Sequence, residues 1–245
     1  MKDQIVSELR KLTTTRSAYA LLVGLMVAVG VGAVAVIAGG SRSSVLEPLQ
    51  RQTFLNVVRS ITPIFALMLG IRSFTDEFRF GSIVPTLLAD PRRGRVLAAK
   101  VVAAGIGGVA LALAATVAAT AIGVPLLLIH GWVPAWSGGA FAVVVGRLLA
   151  ATVLWTTIGV GFGLAVRHQV AAVAGALVWM IAGEGIVAGL LPHVARFFPG
   201  AAGFSIVGVN TEGLLAPVAA AALLCGYAAA ALTMGAVLMA RRDIA

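Results

Sequence analysis

Three ionisable side chains interrupt otherwise apolar stretches of this sequence: Arg59, Arg147 and Glu184. A charge at the centre of a bilayer costs about 3 kcal/mol on insertion scales, so each should face protein or water. Counted from the ends of their stretches, all three fall in the outer third. The placement predicts that Glu184 pairs with Arg147 or Arg59 near the outer mouth of a pathway, where an ion pair would lock helix packing or meet substrate. Other chemistry is poorly supplied. His130, His168 and His193 stand far apart without paired ligand spacing, which argues against a metal site. Ser205 and Glu212 can be assembled with His193 on paper, but nothing in their spacing supports a nucleophile and its base. The one cysteine, Cys225, lies in an apolar run and reads as a buried, inert thiol.

Such residues need a scaffold, and composition says which kind. Of the 245 residues 60% are hydrophobic and 11% charged, with a mean hydropathy of +1.03. A soluble fold is about half apolar and about a quarter charged, and could not hide this much apolar surface. Six stretches reach the length of about 20 apolar residues that a bilayer core requires: Ala18 to Gly39, Phe54 to Ile71, Val101 to Ile129, Gly139 to Val166, Val170 to Leu191 and Leu214 to Ala240. The third contains Pro125 and is long enough to tilt or bend. Gly159 with Gly163, and Gly185 with Gly189, stand at helical spacing and predict close helix approach in lipid. Ala33-Val34-Ala35 imitates a leader cleavage site, but the run is too long for a signal peptide core and five further spans follow.

The net charge of +9 would suggest nucleic acid in a soluble protein. Here the cations gather in short polar connections, where topology and anionic headgroups account for them, so no nucleic-acid partner is expected. With the N-terminus inside, the inner segments hold thirteen of these cations, from Lys2 to Arg242, while Arg42, Arg51 and Arg196 lie on the other side. This bias places both termini in the cytoplasm of a multi-pass protein of the cell membrane.

Two inner segments stand out. Residues 72–100 form the most polar part of the chain. Gly81 breaks the preceding helix, Ser82 can cap a short one, Pro85 is tolerated in its first turn, and Leu87 and Leu88 give it an apolar face before Asp90-Pro91 ends it. Arg92, Arg93 and Arg95 follow at headgroup depth, and Lys100 can snorkel from the next span. From Asp3 to Ser17, Ile5, Val6, Leu9 and Leu12 form an apolar stripe against Lys2, Glu8, Arg10, Lys11 and Arg16, which reads as a helix lying in the membrane interface. A plain basic leader explains the charges of that second segment as well.

The order Glu77-x-Arg79-x-Gly81-Ser82, Leu87-Leu88, Pro91-Arg92-Arg93 and Lys100 resembles the signature between the second and third helices of ABC-2 type transporter permeases, the transmembrane subunits of type V ABC exporters. The string Glu8-Leu9-Arg10-Lys11-Leu12-x-Thr14-x-Arg16 resembles the connecting helix that opens them, and Arg241-Arg242-Asp243 their short tail. The resemblance implies an all-α fold of six transmembrane helices: an interfacial connecting helix at 1–17, a coupling helix at 76–91 and a short re-entrant outer segment at 192–213. It further implies that Glu77, Arg79 and Gly81 sit at the contact with an ABC ATPase, with Ile83, Leu87 and Leu88 as apolar anchors. Two ATPase copies and a second, identical or related, permease would complete the exporter. No Gly-x-x-x-x-Gly-Lys-Ser/Thr phosphate loop is present, so ATP and Mg belong to the partner ATPase and this chain binds no cofactor and hydrolyses nothing itself. The lining available is Ala, Val, Leu, Phe and Trp, so the expected cargo is hydrophobic or amphipathic. The alternatives are a proton- or ion-coupled secondary transporter using Arg59, Arg147 and Glu184, and a membrane-embedded enzyme using Glu184 and His193.

Overall fold

A computed structural model describes residues 2–39, 53–89, 92–131, 138–209 and 213–241. Among them every regular element is helical. Helix α1 (Lys2–Thr14) precedes α2 (Arg16–Gly39); α3 (Thr53–Arg79) is followed by a turn and the short α4 (Ile83–Ala89); α5 (Arg93–Ile129) and α6 (Gly138–Val166) come next. The chain continues through α7 (Gln169–Val178), one π-helical turn (Trp179–Gly183), α8 (Glu184–Leu190), α9 (Pro192–Ala195), α10 (Pro199–Val207) and α11 (Pro217–Arg241). Six helices are long and apolar enough to cross a membrane: α2, α3, α5, α6, the continuous α7–α8 rod, and α11. The chain is therefore built as a multi-pass membrane protein, with spans where the hydropathy pattern puts them.

Burial periodicity shows how the bundle is assembled. In α2, Leu21, Leu25, Val29, Ala33 and Ile37 are buried, while Val23, Val27 and Val31 are exposed. A spacing of four keeps one stripe inward and leaves the rest for lipid. Helix α6 is the hub, packed most extensively on α3 and also on α11 and α5. The α3–α6 contact is backbone against backbone: a Cβ added at Gly70 would overlap the Thr156 carbonyl, and one at Gly159 or Gly163 would overlap the carbonyls of Leu67 or Ile71. Gly161 plays the same part against Ala231 of α11. Gly185 and Gly189 do not; a Cβ at either meets open space, because α7–α8 lies at the edge of the bundle with its apolar side chains outward. Cys225 is exposed on α11, not buried, since Leu224 and Ala228 take the inward stripe.

Helix α3 runs two turns past Ile71, and α5 begins well before Val101. At 37 residues and about 1.5 Å per residue, α5 is about 55 Å long, well over the roughly 30 Å of hydrocarbon. Pro125 is accommodated within it. The extensions of α3 and α5 stand together with α1, α4 and the turn between α6 and α7, where the Arg167 guanidinium covers the Phe78 ring at 5.1 Å. His168 serves that turn as a cap, its Nδ1 accepting from the Ala171 amide at 3.2 Å.

Candidate functional site

At this polar end four charged side chains from three helices converge. Lys11 Nζ donates to Glu8 Oε1 at 2.6 Å and to Glu77 Oε1 at 2.5 Å; Lys100 Nζ meets Glu8 Oε2 at 2.8 Å and Glu77 Oε1 at 2.9 Å. Lys100 also donates to the Ser73 carbonyl and lies 5.0 Å above the Phe74 ring. Glu77 is 4% exposed and Lys100 1%. Two acids and two bases leave no net charge, which is what makes their burial tolerable. Thr86 of α4 reaches Glu77 Oε1 at 3.4 Å, so the cluster joins α1, α3, α4 and α5. Arg72 extends it, pairing with Asp76 at 3.1 Å and donating to the Ser17 carbonyl at 2.8 Å. These groups border a cavity of about 260 Å³ whose apolar lining includes Leu12, Leu21, Leu69 and Phe80.

Several expectations change here. Glu8 and Lys11 do not face away from the apolar stripe of α1; they point inward beside Leu12, while Val6 is exposed. Glu77 is enclosed, not presented at a surface. Ile83 is buried against Phe74, Ala104 and Val160 in the chain's own core, because the turn at Gly81, with φ +67°, folds α4 back onto the bundle. Outward at this end stand Leu88 at 80% exposure, Phe80 at 73%, and Arg79, which donates to Gln169 Oε1 at 3.1 Å. Arg16 is exposed at the head of α2. The side chains of Leu87 and Arg93, together with Asp90, Pro91, Glu212, Arg242 and Asp243, lie outside the described residues.

Burial would raise the Glu8 carboxyl, but the neighbouring Lys100 and Lys11 outweigh it and hold it below its ordinary value of 4.5. Burial would lower Lys11, yet its bonds to Glu77 and Glu8 raise it above 10.5. A lowered carboxyl contributes stability that is present above its unfolded value and lost as pH falls through the folded one; a raised amine's contribution is lost as pH rises beyond its folded value. Thermal melts in detergent should therefore fall off below about pH 4.5. Glu8→Gln should flatten that acid limb, and an unchanged limb would show that Glu8 is not its source.

At the opposite end of the spans α10 lies against α11, α6 and α3. Its two ends are matched to charge. Glu184 Oε1 accepts from the Gly200 amide at 3.0 Å in the first turn of α10, and Arg59 Nη1 donates to the carbonyls of Val207 at 2.9 Å and Gly208 at 3.3 Å at its last. Arg59 also donates to Asn56 Oδ1. A Cβ at Gly208 would lie 3.6 Å from Arg59 Nη1 and 3.7 Å from Arg147 Nη1, so both guanidiniums converge on the negative end of α10. The expected pairing of Glu184 with an arginine does not form: a helix stands between them, and its dipole takes both signs of charge. The π turn immediately before Glu184 inserts one residue into the rod, a register change that hydropathy does not register. Arg59, Glu184, Trp155, Met180 and Phe204 border a second cavity, of about 540 Å³.

These two sites belong to a helical multi-pass membrane protein with six candidate spans among the described residues. No family model matches the chain, and no curated protein matches it.

Proposed function

We propose that this chain is the permease subunit of an ATP-driven ABC exporter of the ABC-2 type, carrying a hydrophobic or amphipathic substrate outward across the cell membrane. One observation supports this reading above the others: Glu77 ties α4 through Thr86 to the base of α5 through Lys100 and to α1 through Lys11. A push on α4 therefore moves two spans and the N-terminal helix as one body, which is what transmission from an external motor requires. The face offered to that motor is Arg79, Phe80 and Leu88, all exposed on the segments that flank the turn at Gly81. In this reading α1, α4 and both termini lie in the cytoplasm, in keeping with the cations concentrated at that end, and α10 closes the outer end. Two ATPase subunits carry ATP and Mg, and a second permease copy or a related permease completes the pathway. A proton- or ion-coupled carrier would need Arg59, Arg147 and Glu184 as one relay, whereas Glu184 is engaged by the first turn of α10 and the two guanidiniums converge at its last.

Purified from its own membrane, the chain should bring down a phosphate-loop ATPase, and vesicles holding both should export substrate only with ATP and Mg. Leu88→Glu and Arg79→Ala should each cut ATP-dependent export about tenfold or more, by loss of a contact worth roughly 1.5–3 kcal/mol, with insertion and melting unchanged. Export by the isolated chain in an ion gradient would overturn the proposal.

A further inference from the structure

The cavity beside α10 has the composition of a ligand site. About 540 Å³ falls within the range of small-molecule pockets. Its lining is largely apolar, with Ile64, Met180, Ile181 and Phe204, and it also carries Arg59, Trp155, Glu184 and Arg196.

Among the described residues the charge there is unbalanced. Glu184 is occupied by the first turn of α10, where it complements the dipole's positive end. Arg59 is 7% exposed, and Arg147 converges with it on Gly208, so two cations share a helix C-terminus whose partial charge is only about half an electron. Two donors of lining residues are also unanswered: neither Arg59 Nε nor Trp155 Nε1 finds an acceptor among the described residues, although both atoms are buried. A buried donor without an acceptor is costly, and a buried cation without an anion more so. The apolar lining, open beside the exposed flank of α7–α8, supplies the complementary need for a hydrocarbon chain.

We infer that this cavity binds an amphipathic anion, its carboxylate or phosphate placed at Arg59 beside Trp155 and its hydrocarbon tail laid along Ile64, Met180, Ile181 and Phe204. A fatty acid and an acidic phospholipid share this chemistry. Neutral amphiphiles leave the cation unanswered, and small anions leave the apolar wall empty.

The test uses the full chain alone in dodecylmaltoside, without any ATPase, so its failure is separate from failure of the coupling reading. Native mass spectrometry would count adducts with oleate, oleyl alcohol, phosphatidic acid, phosphatidylcholine and inorganic phosphate at matched concentrations. A single saturable adduct is expected with oleate or phosphatidic acid, and the preferred one identifies the headgroup. Oleyl alcohol and inorganic phosphate should bind at least about tenfold more weakly, as expected for loss of a charge-assisted bond or of the buried tail. Arg59→Gln should weaken the anionic adduct about tenfold or more. Should that variant not insert, Trp155→Phe, which removes a single donor from a ring of similar shape, should weaken it several-fold. Equal binding of alcohol and acid, binding of phosphate as tight as that of phosphatidic acid, or full affinity in both variants would each overturn the assignment.

Discussion

Glu77→Ala should lower the melting temperature of the detergent-solubilised chain by about 10 °C, the largest loss expected from any single charge in the protein. The reason lies in what the substitution leaves behind. Lys100 is 1% exposed, held by Glu77, Glu8 and the Ser73 carbonyl; without Glu77, two ammonium groups share one carboxylate in a buried setting. Breaking a buried pair from one side costs about 3–5 kcal/mol, because the orphaned charge stays desolvated, and in a chain of this size each kcal/mol shifts the midpoint by about 2–4 °C. Glu77→Gln keeps the shape but not the charge, and should lose nearly as much. The decisive comparison is Glu77→Gln combined with Lys100→Met, which restores neutrality with the Glu8–Lys11 pair intact. The double variant should melt above Glu77→Gln alone, a coupling that double-mutant analysis reads directly. Additive losses would mean that the cluster is four independent contacts. Under the export reading, the neutral double variant should remain folded yet transmit poorly, since α4 would then be held to α1 and α5 by packing alone.

How much of this was legible in the sequence follows from what each feature rests on. The six spans depend on the mean hydropathy of windows about 20 residues long, which neighbours cannot alter, and their ends agree to within about three residues except at the inner ends of α3 and α5, where the helices run on through polar residues that hydropathy does not count. Gly81 declared the turn before α4, since a left-handed residue at a helix end is most cheaply a glycine. Side-chain partners are another matter. The stripe on α1 was drawn on the rule that charges face away from apolar residues, and the rule fails for Glu8 and Lys11 because partners of opposite sign wait on α3 and α5, 66 and 92 positions away along the chain. A hint was present in the sequence: Glu8, Lys11, Glu77 and Lys100 balance in sign and all fall in the two polar inner segments. Glu184 takes its partner from the main chain, at the Gly200 amide. A carboxylate inside a membrane can be satisfied by a helix N-terminus, and short elements such as α10, begun by Pro199 and ended by the left-handed Gly208, carry no hydropathy signal of their own.

Gly159→Leu should leave little or no folded protein, and Gly159→Ala should lower the midpoint by about 6–12 °C. In lipid the apolar phase surrounds a helix on every side, so burial of apolar surface does not drive spans together; close packing does, and it needs small residues at the crossing. Helices α3 and α6 cross with backbone in contact: the Cβ of an alanine at Gly159 would overlap the Leu67 carbonyl and lie 2.9 Å from the Ile71 amide nitrogen and 3.0 Å from the Gly70 α-carbon. These atoms belong to main chain, which cannot rotate away as a side-chain terminus can, so the helices must separate along their length. Overpacking of this kind costs about 1–3 kcal/mol and occasionally more, and the site is placed toward the upper end because Gly70 and Gly163 share the crossing. Gly70→Ala should cost a similar amount, and Gly159→Ala with Gly70→Ala less than the sum, since one separation relieves both overlaps. Gly185→Ala and Gly189→Ala are the matched comparison: the same spacing in the same kind of helix, but with open space where the Cβ would go. Each should shift the midpoint by no more than about 2 °C, consistent with the roughly 0.5 kcal/mol scale of changes away from packed contacts. A large loss at Gly185 or Gly189 together with tolerance at Gly159 would reverse the assignment of which helix faces are joined within one chain.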